Sequence, residues 1–177
     1  MQTQQDTSAE QAAVARLVAG LDGTVIAERD ANGMGPAQLV GFNAIGDFLF
    51  AGKAIVTLCS KKTGSRFTYK VSHKQGGDCS FVGLLTGADN ERDYSYLGML
   101  PDNPATALRG VGTGKSCAKA DAPSARAFQH LLDVVWGKVD GAMLEVWHEG
   151  RCGRCGRKLT VPESLAIGLG PECASKR

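Results

Sequence analysis

Three of the chain's six cysteines lie near its C-terminus, in Arg151-Cys152-Gly-Arg-Cys155-Gly156 and Gly170-Pro-Glu-Cys173, and His148 stands four residues before Cys152. Cys152 and Cys155 are spaced C-x-x-C, and each is followed by glycine. That spacing lets one tight turn present two thiolates to one ion, with glycine supplying the positive-φ position the turn needs. Zinc takes four nitrogen or sulfur ligands in a tetrahedron, so His148, Cys152, Cys155 and Cys173 make a Cys₃His set for Zn2+. A set with four protein ligands leaves no position for water and is structural, worth on the order of 10 kcal/mol of folding energy.

The elements around the cysteines fit this role. Thr160-Val-Pro-Glu163 reads as a capping box ahead of a short helix that stops at Gly168 and returns the chain to Cys173. The stretch His148-Glu-Gly-Arg-Cys-Gly-Arg-Cys-Gly-Arg-Lys-Leu-Thr-Val-Pro-Glu-Ser164, followed by Gly168-Leu-Gly-Pro-Glu-Cys173, resembles a C-terminal domain of unknown function in phage and prophage proteins. Weaker similarity reaches upstream, through Lys61–Lys70 and Leu85–Tyr94. The resemblance implies a mobile-element origin and metal ligation, and no activity.

Two groups of cations suggest a nucleic-acid surface. No acidic residue occurs from Phe48 to Gly77, a span that holds Lys53, Lys61, Lys62, Arg66, Lys70 and Lys74. Arg151, Arg154 and Arg157 surround the cysteine turn. Clustered cations beside aromatics make a phosphate-backbone footprint, and Tyr69 is the candidate for stacking on a base. The competing reading makes Phe67 and Tyr69 core, the lysines a solvated face, and the arginines a counter-charge to the thiolates.

Other motifs are weaker. Gly110-Val-Gly-Thr-Gly-Lys115-Ser116 is close to a phosphate loop, but Arg109 stands where its first glycine is needed and no helix is evident directly after it, so no nucleotide cofactor is expected. Asp89, Glu91 and Asp93 sit in one loop and read as solvated surface, because nuclease carboxylates converge from separate elements. His73 and His130 have no catalytic partner in sequence. No enzyme signature is present.

The elements that must position these residues read as α+β: a small antiparallel sheet or barrel with two main helices and a C-terminal zinc knuckle. Ser8-Ala-Glu-Gln11 caps an N-terminal helix that Gly20 ends, a short strand covers 24–27, and 36–45 reads as another short helix. Strands follow at 53–59, 66–72, 80–85 and 94–99, the first two as a hairpin. Residues 101–120 read as a linker. Asp121 or Ser124 caps a helix carrying the stripe Phe128, Leu131, Leu132, Val135 and Trp136, and a strand at 143–147 delivers His148. The divisions are 1–20, 21–141 and 142–177.

An apolar fraction of 43% supports a packed core, while a net charge of +2 recruits nothing by itself. No apolar run long enough to span a membrane is present, and the first residues lack a signal peptide's pattern. Cys59, Cys79 and Cys117 are scattered, which suits a reducing bacterial cytoplasm, with Cys59 expected to be buried. The leading expectation is a phage-type module that binds nucleic acid without turnover. The alternative is a phage factor that occupies or inhibits a host protein, such as a defence component.

Overall fold

The computed structural model describes residues 36–74, 76–101 and 107–176. The N-terminal helix and the strand at 24–27 lie outside the described residues. In chain order the elements are β1 (Ala37–Leu39), α1 (Phe42–Leu49), β2 (Lys53–Ser60), β3 (Arg66–His73), β4 (Cys79–Leu85), β5 (Tyr94–Pro101), α2 (Pro123–Val135), β6 (Leu144–His148), α3 (Pro162–Ile167) and α4 (Pro171–Ala174). The strands form one six-stranded sheet in the order β1-β6-β2-β3-β4-β5. Every pairing is antiparallel, and among the described residues the sheet is open rather than closed into a barrel.

Alternation along the strands decides which face the helices cover. Ala54, Val56 and Leu58 of β2 stand opposite Val71, Tyr69 and Phe67 of β3. These residues, with Val82, Leu97 and Val146, face the core under α1 and α2. The α2 stripe performs as its spacing predicts, with Phe128, Leu131 and Leu132 fully buried. Its cap differs from expectation. Ala122 is the N-cap, no side chain bonds to the first turn, and Pro123 starts the helix through its fixed φ. Thr160 likewise caps nothing, because Val161 is the N-cap of α3.

The expected helix at 36–45 divides in two. Ala37 and Leu39 are buried while Gln38 is half-buried, so the segment pairs with β6 as a strand. Gly41 then turns the chain at φ 86, and α1 follows with Ile45, Phe48 and Leu49 on its buried face. Residues 107–120 are also more than a linker. Arg109 and Met99 exchange both backbone hydrogen bonds at 2.9 Å, and the Ser116 hydroxyl donates to the Leu97 carbonyl at 2.7 Å. These bonds satisfy edge groups of β5 that would otherwise be left open. Cys59 alternates to the outer face and is half-buried, not buried.

Tyr69 is the sharpest correction. Its ring is fully buried against Phe128 at 4.9 Å, and its hydroxyl donates to the Ser124 carbonyl at 2.6 Å. The stacking candidate is therefore a core residue that ties β3 to the start of α2, and burial pushes its phenol above its ordinary pKa. Tyr69→Phe leaves the Ser124 carbonyl without this donor and should cost about 1–2 kcal/mol of stability, read as a lower urea midpoint at unchanged slope. Tyr69→Ala should cost about 3–5 kcal/mol.

Candidate metal centre

The C-terminal segment is built onto the sheet. β6 pairs with β1 on one side and β2 on the other, so residues 144–148 lie inside the sheet. Beyond His148 the chain makes a small hairpin in which Arg151 faces Lys158. The Cys152 N–H donates to the Arg157 carbonyl at 2.8 Å, and the Gly156 N–H donates to the Cys152 carbonyl at 2.9 Å. Gly156 takes φ 76, the conformation the turn demands. α3 then carries the chain back, Gly168 ends it at φ 70, and the first turn of α4 presents Cys173. Leu159, Leu165 and Leu169 pack with Cys152 into a second, smaller core.

This arrangement brings Cys152, Cys155 and Cys173 together, with their sulfurs all within 4.8 Å of one another. Cys152 is buried, Cys173 half-buried and Cys155 exposed. Burial opposes ionisation of the Cys152 thiol, but the backbone N–H groups of Cys155, Gly170 and Arg154 outweigh it and hold the pKa down at about 7. The Cys173 thiol is pushed up to about 11, by burial first and then by its sulfur neighbours. Three thiols crowded in this way resist joint ionisation, and a divalent cation among them removes the repulsion. The three cysteines could therefore hold a metal ion.

His148 is not part of this group. It is 1% exposed, and both of its ring nitrogens are taken by the backbone. Nε2 lies 2.8 Å from the Leu165 carbonyl and the Gly150 N–H donates to Nδ1 at 3.1 Å. A carbonyl only accepts and an N–H only donates, so these partners assign the proton to Nε2 and leave the ring neutral. Burial depresses its pKa. The Cys₃His expectation fails because β6 turns this ring toward α3, where it staples strand to helix instead of reaching the sulfurs.

The cations predicted to act together are separated. The Lys53 N–H donates to the Gly153 carbonyl, while Ser60 pairs with Leu144 at the far end of β2. Lys61, Lys62 and Arg66 thus lie roughly 25 Å from the cysteine turn, at ~3.3 Å per strand residue. Lys61 pairs with Glu145 at 3.8 Å, whereas Lys62 and Arg66 are exposed. The Lys70 amine donates to the Glu91 carbonyl at 3.2 Å and stands over the Tyr94 ring at 5.4 Å. Arg151 pairs with Glu91 at 3.6 Å and donates to the Gly156 carbonyl at 3.3 Å. Arg154 donates to the Cys173 and Lys176 carbonyls at 3.4 and 2.8 Å, tying the turn to the end of α4, and Arg157 is exposed.

The acidic loop between β4 and β5 uses two of its carboxylates, Asp89 and Asp93, on its own backbone. Asp89 Oδ1 accepts from the Glu91 and Arg92 N–H groups, and Asp93 Oδ2 accepts from the Asp89 N–H. The loop reaches the C-terminal segment through Asn90, which donates to Glu149 at 3.2 Å.

Sequence reasoning missed a groove of about 700 Å³ beside the cysteines, lined by Phe42, Asp47, Phe50, His73, Trp136 and Cys173 among others. Phe42, the first residue of α1, and Phe50, its C-cap, are exposed. The phenylalanines at the two ends of α1 were the available signal, obscured because 36–45 was read as the helix.

Fold and site together define an α+β domain with a C-terminal cysteine cluster that could bind a metal ion. Residues 142–177 match the model of a family of unknown function, DUF6011. No curated protein and no solved structure matches the chain. No helix among the described residues is long and apolar enough to cross a membrane.

Cys152→Ser, Cys155→Ser and Cys173→Ser should each lose the bound metal and become protease-sensitive, as judged by metal analysis and limited proteolysis. His148→Gln should keep the metal but be less stable. The unfolded histidine takes up a proton first as pH falls, so the stability His148 contributes is present above about pH 6.5 and fades below it. The stability gap between wild type and His148→Gln, followed by denaturation with metal content assayed at each pH, should narrow in acid.

Proposed function

We propose that the protein is a zinc-stabilised module that binds nucleic acid through the uncovered face of its sheet and acts without turnover. Zinc suits three clustered thiolates better than oxygen-seeking cations do. The observation that carries the reading is the composition of that face. Trp147, Thr57 and Thr68 are aligned across β6, β2 and β3, with the two threonine hydroxyls bonded at 2.8 Å. Phe81 of β4 is 41% exposed and lies opposite Ser72 of β3. Arg66 and Lys70 alternate onto the same face as Thr68, with Lys62 at its hairpin end. Open sheets with aromatics and cations on one face are the platforms on which single strands stack. The stacking role assigned in sequence to Tyr69 passes to Phe81 and Trp147. The likeness of the C-terminal segment to phage and prophage proteins supports a mobile-element origin and action in the bacterial cytoplasm.

A second reading, a module that docks on a host or phage protein, is favoured by the exposed Phe42 and Phe50 beside the cysteines. Salt separates the two. Fluorescence polarisation with a labelled single-stranded oligonucleotide should show log affinity falling linearly with log salt, by roughly 0.7 per phosphate contacted. Lys62→Ala with Arg66→Ala should flatten that slope by about two contacts. Phe81→Ala should cost about 1–3 kcal/mol of binding without unfolding the protein. Absence of binding to any single- or double-stranded DNA or RNA at low salt would remove the nucleic-acid reading and leave the protein partner.

A further inference from the structure

A tetrahedral ion held by Cys152, Cys155 and Cys173 needs a fourth donor, and among the described residues no further cysteine or histidine is placed to give it. The chain's other cysteines are Cys59, Cys79 and Cys117, and its histidines are His73, His130 and His148. All six lie among the described residues and none joins the cluster. His148 is withdrawn by its two backbone bonds. No described carboxylate lies within reach of the sulfurs either.

We infer that the fourth coordination position is open and takes a neutral monodentate donor from outside the chain: water in the free protein, and an imidazole when one is offered. The inference rests on the reading of the cluster as a metal site. Three thiolates on a divalent ion already leave a net charge of −1, so a neutral nitrogen donor adds no further charge to a partly buried centre. The centre is accessible. Cys155 is exposed, and Cys173 forms part of the wall of the groove together with Arg154 and Leu169. Open coordination of this kind distinguishes exchangeable or reactive zinc sites from closed structural ones.

The test uses the full chain loaded with one equivalent of Co(II), or of zinc, and free imidazole as the probe. X-ray absorption of the zinc form should show three sulfurs and one nitrogen or oxygen neighbour. Imidazole should shift the visible bands of the Co(II) form saturably, and His148→Gln should respond as the wild type does. Bands that stay unchanged at high imidazole, four sulfur neighbours, or a nitrogen neighbour that disappears in His148→Gln would each overturn the open position while leaving the metal site standing. Failure of the wild type to retain either metal would overturn both.

Discussion

Phe48 sits where the sheet's core meets the cysteine segment, and it admits only glycine on the other side. Its ring is 1% exposed and stands 5.1 Å from the His148 ring. A Cβ on Gly153 would lie 2.8 Å from Phe48 Cδ2 and 2.9 Å from the Phe48 carbonyl. A Cβ on Gly168 would likewise fall within contact of the same ring. Gly153 is in the cysteine turn and Gly168 ends α3, and their backbones bond to each other at 3.0 Å. Both arms of the cluster are therefore placed by close approach to one aromatic ring. The positive φ at Gly168 adds a second reason for glycine there.

That docking explains why the cysteines converge. β6 supplies a rigid start, His148 bolts α3 to it, and Phe48 fixes how far the turn and α3 can approach. What remains is electrostatic. Backbone N–H groups favour one thiolate, Cys152, while burial and the neighbouring sulfurs disfavour that of Cys173. A cation turns this repulsion into attraction, and binding of this kind is worth on the order of 10 kcal/mol, comparable to the whole stability of a domain. The second core, with Leu159, Leu165 and Leu169, adds apolar burial to that term.

Local patterns were legible in the sequence, and what depends on distant partners was not. The β2–β3 hairpin, the α2 stripe and the cysteine turn follow from alternation, helical spacing and C-x-x-C-G, all of which act within a few residues. Tyr69 alternates with Lys70 whichever face is covered, and only the docking of α2 decides that its ring is core. His148 has ligand spacing, yet the free carbonyl at Leu165 that claims its Nε2 lies seventeen residues away. Pro36 to Ile45 reads as one short helix, but pairing with β6 takes the first residues into the sheet. Residues 107–120 have no periodicity because their bonds go to the edge of β5.

The account's central claim is that metal held by Cys152, Cys155 and Cys173 fixes the C-terminal segment against the sheet. Amide hydrogen exchange, with and without a chelator, tests it most directly. In the metal-loaded protein the Cys152, Gly153, Gly156, Leu159 and Cys173 amides, each bonded to a backbone carbonyl, should be protected. Stripping the metal should abolish that protection before the β2–β3 amides lose theirs. Exchange at those five amides that is unaffected by the chelator, or fast in the metal-loaded protein, would contradict the claim.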